Sequence, residues 1–190
     1  LDRVDMLLLH DVPDEHCRSA VDEAFPTLAD LRSQGAVSAI GAGLATLELL
    51  LGFARECDFD CFLLPNRYTL TEQTAIDEFL PMCQESGIAI ILGAPYNQGR
   101  MLGQGRQTPD EVAHLRRYRA VCERHGVPIK AAALQFVVAH PSVASVIPGP
   151  ASMEEMTDNI RMTEHKIPPE LWADMKSEGL IAPGCPVPEK

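Results

Sequence analysis

Several features are scarce in this chain, and each scarcity excludes something. No apolar run approaches the ~20 residues of a membrane-spanning helix, and no signal-peptide pattern opens the sequence. Basic residues are outnumbered, 16 Lys and Arg against 27 Asp and Glu, for a net charge of −11. A nucleic acid or an anionic membrane surface needs a basic face, so neither is an expected partner. Six cysteines, at 17, 57, 61, 83, 122 and 185, include no C-x-x-C pair and no histidine at zinc-finger spacing. That pattern predicts reduced, mostly buried thiols, no metal site and a cytoplasmic location. There is no long linker, low-complexity tract or close repeat, so residues 1–190 read as one domain. The opening "LDRVD" reads as the middle of that domain.

What is present is an alternation. Apolar runs at 5–10, 37–43, 61–66, 88–94 and 143–149 lack polar alternation, as strands covered on both faces do. Amphipathic helical patterns lie between them. Val21, Ala24, Phe25, Leu28 and Leu31 share one face, and Pro26 marks a kink or a helix start. Thr46 is placed to cap the next helix, and "TPDE" (108–111) and "SMEE" (152–155) read as capping boxes. The order is β-α-β-α-β-α-β-α-α-β-α, with a further helix around Trp172. Such alternation builds a doubly wound sheet or a (β/α) barrel. The first option lacks its G-x-G-x-x-G motif, since "GAGLAT" (41–46) has no third glycine. Five strands do not close an eight-stranded barrel. The expectation is an α/β fold, the C-terminal part of a (β/α)8 TIM barrel from about strand 4 to strand 8, with three N-terminal strands outside this chain.

Barrel chemistry sits where strands end. "MLLLH" ends in His10, the one strand-end group whose ordinary pKa is near neutrality. It reads either as a polarising group in the barrel mouth or as an imidazole bonded to a nearby carbonyl. Asp11 is expected to cap the following turn. Gly41 and Gly43 close the second strand. "APYNQGRML" (94–102), with Pro95, Tyr96, Asn97 and Gly99, is either a phosphate-binding loop or an ordinary turn. "IPGPASMEEMTDN" (147–159) leads through Pro148 and Gly149 into a helix start at Ser152, a favourable place for an anion. Glu155 reads as part of the capping box there, and Asn159 lies one turn on. Arg67 and Tyr68 stand at a third strand end, where Arg67 suits an anion or a salt bridge between loops.

The stretches "VDMLLLHD", "LRSQGAVSAIGAG", "CFLLPNRYTLTEQ", "GAPYNQGRML", "AAALQFVVAHPSVASVIPG" and "IPPELW" together resemble the aldo-keto reductases. Within that family they resemble the subgroup of D-threo-aldose 1-dehydrogenases, L-fucose dehydrogenases and pyridoxal 4-dehydrogenase. The resemblance implies a barrel that binds a nicotinamide cofactor without a Rossmann motif. It implies that His10 is the tetrad histidine that steers the substrate oxygen. It places the tetrad's Asp, Tyr and Lys on strands upstream of Leu1. It also implies cofactor contacts at Gly41, Gly43, Pro95, Tyr96, Asn97, Gly99, Pro148, Gly149, Ser152, Glu155 and Asn159, and substrate contacts at Arg67 and Tyr68. Gly43 and Leu44 stand where many members have Ser-Asn, Pro65 where a Gln is usual, and Gly93 near a usual Tyr. The loop from Gly105 to Thr108 is short beside the subgroup's. Ala151 stands where NADP users carry an arginine, beside Glu154 and Glu155, so NAD is expected over NADP.

The function so implied is an NAD(P)-dependent oxidoreductase. It would oxidise an aldose at C1, or interconvert a related alcohol and aldehyde, by hydride transfer. Its partners are a small sugar or aldehyde and, where the barrel self-associates, a second copy. Two alternatives remain at this stage: a barrel that binds the cofactor without catalysis, and an unrelated TIM-barrel lyase using the C-terminal anion site.

Overall fold

The computed structural model describes residues 3–188. Five strands, β1 (Met6–His10), β2 (Ala39–Gly43), β3 (Cys61–Pro65), β4 (Ala89–Gly93) and β5 (Val143–Ile147), form one sheet in chain order. Every pairing is parallel. The helical segments are α1 (Cys17–Ser19), α2 (Phe25–Ser33), α3 (Leu47–Glu56), α4 (Phe79–Ser86), α5 (Pro109–Arg124), α6 (Ile129–Val138), α7 (Met153–Thr163) and α8 (Pro169–Ser177). Each of the first four strands is joined to the next through helix, and α5 with α6 fills the widest gap. This is a partial (β/α) barrel, as the alternation predicts.

The period of two along each strand sorts the residues. Ile40, Ala42, Phe62, Leu64, Ile90 and Leu92 are fully buried on the face that packs against the helices. Register places His10 beside Gly43, Gly43 beside Leu63, Pro65 beside Gly93, and Gly93 beside Ile147. These residues share the opposite, inner face at the C-terminal ends of the strands, in two successive rungs, His10–Gly43–Leu63 and Pro65–Gly93–Ile147. An apolar run can therefore end in an imidazole: His10 falls on the inner face after Leu9 has turned to the helices.

Local rules explain most helix details, with two departures. Of the two readings of Pro26 the structure takes the second: α2 begins at Phe25, with Pro26 in its first turn. The segment Ala20–Ala24 between α1 and α2 widens to a π turn, with the Phe25 N–H donating to the Ala20 carbonyl. A proline that cannot donate is thereby absorbed without breaking the rod. Thr46 occupies the N-cap of α3, but its side chain makes no capping bond. The box at α5 closes in full, with Thr108 and Glu111 exchanging both bonds. At α7 the box is shifted: Ser152 Oγ accepts the Glu155 N–H at 3.1 Å, whereas the Glu155 carboxylate takes the Ala151 N–H at 2.7 Å.

The residue after a strand carries a left-handed backbone at three places: Asp11, Asn66 and Ala94, with φ of 50°, 62° and 52°. Each donates its N–H to the last carbonyl of the next strand, Gly43, Gly93 and Ile147 in turn. The ladder thus gains one bond beyond each strand, at a conformational cost on the order of 1–2 kcal/mol per residue.

Buried His140 accepts the Ser142 N–H on Nδ1 at 3.2 Å, and burial holds its pKa below the ordinary value. Protonation would turn that acceptor into a donor facing a donor. The unfolded chain takes up this proton near pH 6.5 and the folded chain only at lower pH, so the contribution to stability is lost as pH falls. Urea melts between about pH 7 and pH 5 should therefore lose stability, and His140→Gln should flatten that slope. An unchanged slope in the variant would show that other groups set it.

Candidate active site

At the C-terminal rim of the sheet lies a cavity of about 810 Å3. Its floor is the inner-face set His10, Gly43, Leu63, Pro65, Gly93 and Ile147. Its wall comes from the loop after β4 and the turn between β5 and α7. The volume falls within the ~300–1,000 Å3 range of small-molecule and cofactor sites.

His10 is more than half exposed on the floor, and the Asp11 carboxylate stands 3.3 Å from its Nδ1. Asp11 makes no capping bond. It faces the imidazole instead, which leaves Nε2 available to a ligand. Gly43 is fixed by proximity, because a Cβ there would lie 2.9 Å from His10 Cδ2. Gly93 is different: an added Cβ would meet nothing closer than 3.6 Å. Gly43 and Gly93 stand on either side of β3, on successive rungs, and each presents backbone without a side chain to the cavity beside Leu63 and Pro65.

On the wall, buried Tyr96 donates its O–H to Asn159 Oδ1 at 2.8 Å. Burial pushes the Tyr96 pKa up, with a smaller push from the Asp158 carboxylate, so it stays a neutral donor. Lys130, from the first turn of α6, lies over the Tyr96 ring at 5.6 Å from its centroid and pairs with Asp158. Glu155 lines the same wall.

The structure gathers His10, Gly43, Tyr96, Gly99, Pro148, Gly149, Glu155 and Asn159 around this cavity, and leaves the other expected residues outside it. Gly41 sits mid-strand, where a Cβ would lie 2.0 Å from the Cys61 carbonyl oxygen, so it serves strand packing. Pro95 is buried in its loop. Asn97 bonds Thr71 Oγ1 at 2.6 Å. Ser152 is exposed and occupied as a cap. Arg67 donates to the Ala45 carbonyl at 2.8 Å and lines a different cavity. Tyr68 is fully buried, its ring stacked on Phe136 at 5.2 Å, so it is a core residue. Trp172 likewise packs in the core near Phe136.

Two expected anion sites are partly used up. In the loop after β4, the N–H groups of Arg100 through Gln104 all donate within the loop. At the start of α7, the Glu155 carboxylate already accepts from Ala151. Conversely, the sequence reading missed Lys130, Gln98 and the partnership of Asp11 with His10. Lys130 lies on a helix nearly 20 residues before the turn it serves, so no local motif announces it.

Among the described residues no group of three or more His, Cys, Asp or Glu side chains could hold a metal. No described helix is long and apolar enough to cross a membrane.

Comparison with known proteins agrees with the fold. The model of the "Aldo/keto reductase family" matches residues 1–178. D-threo-aldose 1-dehydrogenase from a Pseudomonas species is 38% identical over 192 residues, covering 95% of this chain and 58% of that protein. Pyridoxal 4-dehydrogenase from Microbacterium luteolum is 34% identical over 167 residues, covering 83% of this chain and 49% of that protein. The chain thus spans about half the length of these curated relatives. Among solved structures, the apo form of an aldo-keto reductase from Bacillus halodurans superposes with a TM-score of 0.75 at 20% identity. It matches 100% of this chain and 65% of its own.

Proposed function

The chain belongs to the aldo/keto reductase family, and from that premise we propose that it forms the strand 4–8 portion of a single-domain, NAD-dependent oxidoreductase. The reaction is oxidation of an aldose at C1, of the D-threo or L-fucose kind, or interconversion of a related alcohol and aldehyde. Family membership replaces the lyase alternative. The observation that carries the reading is the placement of His10 across one cavity from Tyr96, Gly149 and Asn159.

The residues fit a nicotinamide dinucleotide. The side-chain-free backbone at Gly43 leaves space for a ring beside His10. Tyr96, Lys130, Glu155 and Asn159 offer donors, acceptors and one cation further along the wall. A bound nicotinamide supplies the hydride acceptor. His10 holds the substrate oxygen, and the Asp11 carboxylate stands beside the imidazole's other nitrogen. The hydroxyl proton leaves to a base on the remainder of the barrel, where the resemblance puts a tyrosine and a lysine.

The complete barrel should oxidise D-threo-aldoses with NAD, whereas the 190-residue chain alone should be inactive and prone to aggregate. Its sheet has two unpaired edges at β1 and β5, and Met6 and Ile147 are about half exposed on its inner face. An assay of both forms, with light scattering on the shorter, checks this. Soluble, cooperative folding with turnover by the short chain would refute it.

The preference for NAD rests on the charges at the wall. Glu155 lines it, and Lys130, the lining cation that sequence reading did not foresee, is already paired with Asp158 behind it. A ribose hydroxyl can donate to a carboxylate, whereas a 2′-phosphate is repelled by it. Ala151→Arg, and separately Asp158→Asn, should each shift the ratio of affinities for 2′,5′-ADP and ADP by about tenfold towards the former. Calorimetry reads the ratio directly, and kcat/KM for the two cofactors should follow it. A clear NADP preference in the unaltered protein would overturn the assignment.

A further inference from the structure

A dinucleotide in the cavity of His10 brings phosphates, and these need donors or a cation. Both places that the sequence offers are largely taken. The N–H groups of Arg100 through Gln104 donate within their own loop. At the start of α7 the Glu155 carboxylate already sits on the Ala151 N–H. The charged and titratable side chains lining the cavity are His10, Asp11, Lys130 and Glu155. Lys130 is therefore the one Lys or Arg on its wall among the described residues.

This lysine is held without being used up. It comes from the first turn of α6, and its Nζ lies 5.6 Å from the centroid of the Tyr96 ring. It donates to the Asp158 carboxylate. An ammonium has three donors, and the others meet no acceptor among the described residues. The side chain is 23% exposed and borders the cavity, whereas Asp158 does not line it. Tyr96 is itself fixed by its bond to Asn159. Ring and carboxylate thus set where the ammonium stands before a ligand arrives, so less side-chain freedom is lost on binding.

We propose that Lys130 binds a phosphate of the cofactor's diphosphate. A phosphate oxygen accepts from the free N–H groups, and Asp158 keeps its own bond and holds the cation in place. Lysine suits this role as a point charge. Spent on the diphosphate, the same cation is not available to a 2′-phosphate, in keeping with a preference for NAD. The inference rests on the cofactor reading and adds to it a binding residue outside the strand-end loops.

Calorimetry on the full-length protein, with adenosine and ADP as probes, tests it. The two differ only in the diphosphate, so the ratio of their affinities isolates it. Lys130→Met, and separately Lys130→Gln, should cut that ratio by about tenfold, the loss of one charge-assisted hydrogen bond. Adenosine affinity should hold, which together with circular dichroism shows that each variant is folded. Lys130→Arg keeps the charge and should restore most of the ratio. A ratio unchanged in Lys130→Met and Lys130→Gln overturns the inference and leaves the cofactor reading standing. Equal losses for both probes overturn it too, because Lys130 then only props Tyr96. A loss confined to 2′,5′-ADP would assign the lysine to a 2′-phosphate and likewise sink it. An unaltered protein that binds neither ADP nor NAD refutes the cofactor reading and the inference together.

Discussion

Replacing His10 with alanine in the complete barrel lowers kcat by roughly 10²–10⁴-fold, the range for a positioned side chain in general acid–base chemistry, while cofactor affinity changes little. The separation follows from position. His10 stands on the cavity floor, paired with Asp11 and more than half exposed, so it contributes little packing to the fold. On the proposed function its loss removes the group that holds the substrate oxygen, while the distal wall of Tyr96, Lys130 and Asn159 stays intact. Steady-state kinetics paired with a cofactor titration read both quantities. An unchanged kcat would reduce His10 to a strand-end residue. Gly43→Ala supplies a graded version, because its Cβ would press on the imidazole at 2.9 Å without touching backbone.

Gly41→Ala is the second large effect, and it falls on stability. The new Cβ would lie 2.0 Å from the Cys61 carbonyl oxygen and 2.8 Å from Leu8 Cδ2. A side-chain tip can swing aside, but a ladder carbonyl cannot move without parting β2 from β3. Overpacking of this kind costs typically 1–3 kcal/mol and sometimes more, and a backbone clash belongs at the top of that range, about 3 kcal/mol. Urea unfolding of Gly41→Ala beside Gly43→Ala makes the comparison. Equal midpoints would mean that the register between β2 and β3 is not the one described.

The contrast between these glycines shows where sequence reading reaches its limit. Both close the same apolar run, and both are assigned to the cofactor by resemblance. Only register, a relation between strands, separates the one that meets a carbonyl from the one beneath an imidazole. The strands and the alternation were legible because buried parallel strands are continuous apolar runs. His10, Gly43, Tyr96, Gly149 and Asn159 were legible because they sit at strand ends or one helical turn beyond. Tyr68 was assigned by its place at a strand end and by resemblance, yet its ring stacks on Phe136 and its buried O–H has no hydrogen-bond partner among the described residues. Ser152 and Glu155 carry the right letters for a capping box, but the carboxylate reaches one residue further back, which sequence spacing alone does not foretell.

The rim bonds made by Asp11, Asn66 and Ala94 bear on how this scaffold can be altered. Each strand end is tied to its neighbour before the chain departs into a loop. Insertions begun two residues beyond a strand would therefore start from a fixed anchor, and the floor would keep its spacing while the loop above it changed. The loop after β1 offers room from residue 12 onward, whereas in the loops after β3 and β4 the buried Tyr68 and Tyr96 must be kept as well. The three left-handed residues themselves are the places to leave alone, since a β-branched substitute at any of them would loosen the tie that holds the floor in line.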